Sequence, residues 1–423
     1  MGMTLAEKIL AKNSGRAEAA AGEFVVADIG LARIHDIFAA RVFDLLLETG
    51  AEGIADPDRV VVVIDHLVPA PTPEAADLHR RIREHVKNLG VGTFYDAGEG
   101  ICHQLLPERG HVRPGMLIVG SDSHTTTHGA LGAAATGIGT SEMVYALAMG
   151  KLWFQVPETI RFDMTGRLQR GVVWKDVILH LAGRFGADVA QYKSIEFGGP
   201  AVAGTSMSSR LTVSNMAVEI GAKFGLFASD EVTDAYLRGQ VGAGAEPLDP
   251  DPDANYEAVH EISLDDLDPQ VARPSEIDLV SPVGEVEGDI IEQAFIGSCT
   301  NGRYDDLEAA ATVLEGRRVA DGVRLLVAPA SRTVLQQAAD SGVLGTLIAA
   351  GATVLPSGCG PCFGGHGGLL GPGERAIGTH NRNFVGRMGS AEAGIYLASP
   401  ATVAASAVAG HVADPRKLEA VDA

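Results

Sequence analysis

Short runs of β-branched and aliphatic residues alternate along this 423-residue chain with segments of helical apolar spacing, and that alternation restricts the fold more than any other feature. Val60-Val61-Val62-Val63-Ile64 predicts a buried strand. Thr72 to Asn88, with apolar residues at Ala75, Leu78, Ile82 and Val86, predicts a helix. Met116 to Val119 and Leu325 to Ala328 read as further strands, and Thr333 to Ser341 as a helix. Ser141 to Trp153 reads as a helix capped by Thr140 or Ser141. The pattern predicts an α/β fold with largely parallel sheets, in which ligands sit beyond the carboxyl ends of the strands. The length suits two or three domains. One boundary is expected near Gln155-Val156-Pro157, and another in the Pro- and Asp-rich stretch from Pro247 to Asp253. From Asp249 to Gln293 the sole basic residue is Arg273, which reads as a solvated acidic surface or linker.

Composition narrows the partners. Asp and Glu outnumber Lys and Arg by 54 to 33, a net charge of −21. This argues against nucleic acids and anionic membrane surfaces, and it requires any site for an anion to carry its own arginines. No apolar run approaches the ~20 residues of a membrane span. The segment from Met1 to Asn13 reads as a short amphipathic helix without the apolar core of a signal peptide. A cytoplasmic protein is expected. Four cysteines in a chain this long make no disulfide framework, so clustered ones point to metal or chemistry.

Cys359-Gly-Pro-Cys362 has three readings. A dithiol redox motif would open a helix, which the following Phe363-Gly-Gly-His-Gly-Gly disfavours. Zinc would need His366 or Cys299 to complete its ligand set. An iron–sulfur cluster would take a third thiolate from Cys299, where an apolar strand ends in the small residues of Gly297-Ser-Cys-Thr-Asn-Gly. Three thiolates on a four-iron cube leave one iron open as a Lewis acid. Cys102, between Ile101 and His103, reads as a buried residue without metal.

Histidines sit beside carboxylates or glycines at strand ends: Asp65-His66, Gly100-Ile-Cys-His103 and Asp122-Ser-His124. A carboxylate beside an imidazole fixes its tautomer and raises its pKa, as general acid–base work requires. Asn381-Arg382-Asn-Phe-Val-Gly-Arg387 places two arginines around a turn, able to clamp a dicarboxylate.

Together these segments resemble the aconitase superfamily. The matching stretches are Asp65-His66-Leu67, Gly100 to Gln104, Asp122 to Thr125, Ser214 to Gly221, Gly297 to Asn301, Gly358 to Cys362 and Asn381 to Arg387, in the family's order. The resemblance implies three α/β domains (1–156, 157–270 and 271–423) with mainly parallel sheets packed around a central iron–sulfur cluster. It implies one 4Fe–4S cluster held by Cys299, Cys359 and Cys362. It assigns catalytic roles to Asp65, His66, His103, Asp122, His124 and Glu219, with His103 paired to Asp122 and His124 to Glu219. Ser123, Asn215, Asn301, Arg382 and Arg387 are the implied substrate contacts.

The sequence ends soon after the arginine motif, without the family's swivelling fourth domain, which carries the serine base. In length it resembles the large subunits of the two-subunit members, the 3-isopropylmalate dehydratase and homoaconitase group. That resemblance implies a separate small subunit supplying the base and further carboxylate contacts. It also implies reversible dehydration of a substituted malate, a dicarboxylate or tricarboxylate, with 3-isopropylmalate in leucine biosynthesis first and homoaconitate or a methyl-substituted malate as alternatives. Thr125-Thr-Thr-His-Gly129 follows the isopropylmalate group, whereas Phe38-Ala39-Ala40 replaces its usual small polar residues after His35-Asp36-Ile37. A non-catalytic metal-binding relative is the reading from another class, and the intact acid–histidine pairs speak against it.

Overall fold

The computed structural model describes residues 2–418. Three larger sheets follow one another along the chain. The first orders its strands Thr93–Tyr95, Val60–Val63, Leu31–His35, Leu117–Gly120 and Ala134–Gly137, all parallel. The second orders Phe224–Phe227, Ser194–Gly198, Thr159–Thr165 and Ala258–Ser263, again all parallel. The third has seven strands: Val280–Pro282, Gln270–Ala272, Gly394–Leu397, Arg375–Gly378, Gln293–Gly297, Arg324–Ala328 and Thr353–Val354. Only the pairings of Gln270–Ala272 are antiparallel in it. The expectation of mainly parallel sheets holds.

The chain's route through these sheets creates two crevices. In the first sheet it leaves Leu31–His35 toward one edge, then returns to the other side through Leu117–Gly120. The third sheet does the same about Gln293–Gly297, returning through Arg375–Gly378. At such reversals the connections diverge above and below the sheet and leave a gap beyond the strand ends. His35, Asp65, His66 and Asp122 stand at or just past the carboxyl ends in the first sheet. Cys299, Asn381 and Arg382 do so in the third.

Local signals hold in most places and fail in a few. Thr72 caps the helix Pro73–Leu89, accepting from the Ala75 N–H at 3.2 Å. Ser331 caps Arg332–Asp340 likewise. The helix expected over Ser141 to Trp153 is instead Thr140–Met149, and its cap is Gly139, whose N–H donates to Glu142 at 2.9 Å. Gly150, at φ +66°, ends it, because only glycine takes the left-handed conformation at no steric cost. Lys151–Gln155 then forms an antiparallel ribbon with Phe24–Asp28, with side chains alternating in and out.

The Pro247–Asp253 stretch is no boundary. It lies between the helix Glu231–Val241 and the strand Ala258–Ser263, which is an edge of the second sheet. The acidic run that follows is no linker either, for it contains the fully buried strand Gln270–Ala272. The N-terminal helix Leu5–Asn13 buries six of its residues, Glu7 among them, which closes a capping box with Thr4. None of the described helices is long and apolar enough to cross a membrane.

Candidate active site

The cysteine-bearing loops are built to approach each other. Ser298, at φ +71°, takes a left-handed conformation costly for a residue with a Cβ, directly before Cys299. Arg303 fixes this turn from behind, donating to the Cys299 and Thr300 carbonyls at 2.6 and 2.7 Å. The other loop reaches the first sheet, where the Cys359 N–H donates to the Asp65 carbonyl at 2.7 Å. A Cβ on Gly358 would lie 2.9 Å from that carbonyl, so a larger residue would push the loop away. No helix opens at Cys359, where Gly360–Phe363 is a single 3-10 turn followed by bends.

Cys299, Cys359 and Cys362 line one cavity of about 280 Å³. Side-chain amides contact two of the sulfurs, those of Cys299 and Cys362. Asn215 Nδ2 lies 3.2 Å from Cys299 Sγ, and Asn381 spans the pair, 3.7 Å from Cys299 Sγ and 3.6 Å from Cys362 Sγ. Burial, together with the neighbouring Cys362, pushes the Cys299 thiol up to about 12. Hydrogen bonding from Cys359 brings Cys362 down to about 5 despite burial, aided by Arg387. Sulfurs gathered in this way bind a metal centre as thiolates, whose charge the cation offsets, so binding would release their protons. His366 does not join them, since its Nε2 bonds the His66 carbonyl at 3.0 Å. Cys102 also borders the cavity, and burial holds its thiol well above the usual range.

The opposite wall carries three histidine–carboxylate pairs. His66 Nδ1 lies 2.7 Å from Asp65, whose other oxygen accepts the Cys102 N–H at 2.7 Å. His103 Nε2 lies 2.8 Å from Asp122, and His124 Nε2 lies 2.7 Å from Glu219. Burial disfavours the His66 cation, but Asp65, Asp36 and Asp122 outweigh it and raise the group to about 9. For His103 burial wins, with the nearby Arg33 adding to it, and the pKa falls to about 4. One imidazole is thus charged near neutrality and the other neutral, the separation expected of an acid beside a positioning group.

Arg382 Nε donates to Glu219 at 2.8 Å. Arg387 points toward Cys362, at 4.0 Å, and its buried Nε has no partner among the described residues. Ser123, Arg382 and Arg387 line the cavity, whereas Asn301 does not. Asn301 lies buried behind Cys299, donating to Asp306 at 2.8 Å and Thr212 at 3.3 Å, so its place is that of a loop support. Asn215 likewise touches sulfur and Thr127 instead of open space.

Several residues here carry no role in the sequence reading. Asp36 accepts the His66 and Leu67 N–H groups at 3.0 and 2.9 Å and also bonds His79, fixing the Asp65-His66 loop. His35 stacks on His66 with ring centroids 4.0 Å apart. His35-Asp36 repeats, in reverse order, the acid–imidazole signature at a strand end, and that signal was available. Lys175 donates to the Thr379 and His380 carbonyls at 2.9 and 2.7 Å, holding the turn that presents Asn381. No local signal distinguishes Lys175, which meets that turn from more than 200 residues away.

The fold and cavity define an α/β protein with a three-thiol centre facing histidine–carboxylate pairs. The chain belongs to the aconitase family: the model described as Aconitase family (aconitate hydratase) matches residues 7–290 and 284–410. It is 54% identical over 416 residues to 3-isopropylmalate dehydratase large subunit 1 of Methanopyrus kandleri, covering 98% of this chain and 99% of that one. It is 47% identical over 419 residues to a probable methanogen homoaconitase large subunit of Methanothermobacter thermautotrophicus, covering 98% of each. Among solved structures it resembles aconitase X of Thermococcus kodakaraensis, at 12% identity and a TM-score of 0.51, over 85% of this chain and 84% of that one.

Proposed function

We propose that this chain is the large subunit of a two-subunit hydro-lyase that dehydrates and rehydrates 3-isopropylmalate, the isomerisation step of leucine biosynthesis. The observation that carries the reading is the convergence of three thiols, three histidine–carboxylate pairs and two arginines on one cavity. The donor set fits a 4Fe–4S cluster. It offers three sulfurs, one of which, Cys299 Sγ, accepts from the Asn215 and Asn381 amides, and His366, the nearby candidate for a fourth ligand, bonds the His66 carbonyl through Nε2. When bound, the cluster supplies a Lewis-acidic iron without a protein ligand.

The chain's own residues divide the remaining work. His66, cationic near neutrality and tied at Nδ1 to Asp65, holds its second proton on Nε2 for the departing hydroxyl. Asp122 accepts from the His103 ring and from the His124 backbone N–H at 2.8 Å, so it sets one ring directly and fixes the turn that carries the other. Arg387, with its unpartnered Nε, takes a substrate carboxylate, and Arg382, oriented by Glu219, takes the second. The base that removes the carbon-bound proton comes from a small subunit, in keeping with relatives named as large subunits. We read the chain as three domains, 1–156, 157–270 and 271–423; the three sheets in chain order support that division, although Gln270 already pairs with Pro282 in the third sheet. A cytoplasmic setting keeps the four free cysteines reduced.

A second reading, homoaconitase, is favoured by the 47% identity to a large subunit of that name. The test is turnover by the iron-loaded complex with its small subunit. Dehydration of 3-isopropylmalate, followed by the ultraviolet absorbance of the alkene, is the expected result. Turnover of no substituted malate by a complex with full iron content would overturn the reading.

A further inference from the structure

The cavity lining includes apolar side chains among the polar ones. Phe38 and Ile37 follow His35 at the start of the helix Asp36–Glu48, and with Phe363 they line the cavity. Phe38 remains 39% exposed, whereas Ala39 and Ala40 are buried in the core. Of the Phe38-Ala39-Ala40 departure, then, Phe38 is the member that meets the cavity. Its ring packs edge-on against His35 at 5.1 Å, and His35 stacks on His66 at 4.0 Å. Phe38 therefore stands one ring away from the group proposed to protonate the leaving hydroxyl.

The cationic side chains lining the cavity, histidines aside, are Arg382 and Arg387, and Arg382 already pairs with Glu219. Two substrate carboxylates use both. A third carboxylate laid against the Ile37 and Phe38 side chains would lose part of its hydration without meeting either arginine. An alkyl branch in the same place buries apolar area against the ring. We infer that Phe38 is a specificity-determining residue, the wall by which this chain selects malates bearing an alkyl branch over malates bearing a further carboxylate. The inference rests on the hydro-lyase reading and adds a determinant of substrate choice within the large subunit itself.

The experiment compares kcat/KM of the iron-loaded complex for 3-isopropylmalate, 3-methylmalate and 3-(2-carboxyethyl)malate, in wild type, Phe38→Ala and Phe38→Leu. Wild type is expected to prefer the isopropyl substrate. Phe38→Ala should lower the isopropyl-to-methyl ratio about tenfold, the scale of one or two lost methylene contacts. Phe38→Leu, which keeps an apolar wall, should leave that ratio within about threefold of wild type. An equal fall for both alkyl substrates in Phe38→Ala would mean that the ring merely positions His35 and His66, and would overturn the inference alone. Wild-type preference for the carboxyethyl substrate would also overturn it. Turnover of none of the three by the wild-type complex would defeat the underlying reading instead.

Discussion

Asp65→Asn is the sharpest perturbation of the proposed acid. His66 titrates at about 9 against an ordinary 6.5, which corresponds to about 3 kcal/mol in favour of the imidazolium. Burial alone would push it the other way, and Asp65 is the first of the groups that reverse it, through charge and a 2.7 Å hydrogen bond. Asparagine keeps the shape and removes the charge. Asp36 and Asp122 remain, so His66 should drop by about one to two pH units, not the whole distance. An acid must hold its proton to donate it, so dehydration runs below the pKa of His66 and fails as pH rises through it. The alkaline limb of kcat/KM should therefore move from near 9 in wild type to about 7–8 in the variant. The same sign governs stability. A pKa raised by folding stabilises the protein fully below the ordinary 6.5 and loses that contribution as pH rises through about 9. The assay is a pH profile of kcat/KM in the dehydration direction, with iron content checked in both proteins. Coincident alkaline limbs in wild type and Asp65→Asn would refute the assignment of His66 as the acid.

Other perturbations separate the parts of the site. Cys362→Ser should leave the chain folded by circular dichroism but unable to retain about four irons per chain after anaerobic reconstitution; full retention would remove Cys362 from the ligand set. Arg387→Lys should keep its iron and lose roughly 10- to 100-fold in kcat/KM, because an ammonium cannot reproduce the two-pronged contact with a carboxylate. Unchanged kinetics would leave the carboxylate to Arg382. Asp36→Ala strips the partner from the His66 and Leu67 N–H groups and from His79. It should cost at least about 3 kcal/mol in urea unfolding, since each buried bond to a charged acceptor is worth about 1.5–3 kcal/mol. A loss under about 1 kcal/mol would show that water replaces the carboxylate.

The parallel α/β character was legible because strands buried on both faces leave continuous apolar runs, as at Val60–Val63. The helix-to-ribbon switch at Gly150 was not. Leu147, Leu152 and Phe154 continue an apolar pattern across it, and the strand Lys151–Gln155 depends on a partner more than 120 residues earlier. At the site, residues with chemical signatures at strand ends (Asp65-His66, Asp122, Cys299) could be found from their neighbours in sequence. Asn301 carries the same kind of signature, yet its side chain turns back to Asp306 and supports the loop. Asp36 and Lys175 act through backbone groups brought close only by folding, Arg303 acts through the carbonyls of its own turn, and a backbone contact leaves no mark on the sequence of the residue receiving it. Phe38 is the intermediate case: its sequence context flagged a departure, and only the burial of Ala39 and Ala40 identified the residue that faces the cavity.

On the proposed reading, Cys299, Cys359 and Cys362 hold a 4Fe–4S cluster with one iron free of protein ligands. Iron and sulfide analysis with a visible spectrum of the anaerobically purified chain, reconstituted if colourless, tests it most directly. About four irons and four sulfides per chain are expected, with broad absorbance near 400 nm. A colourless protein carrying stoichiometric zinc, or one that takes up no iron on reconstitution, would contradict it.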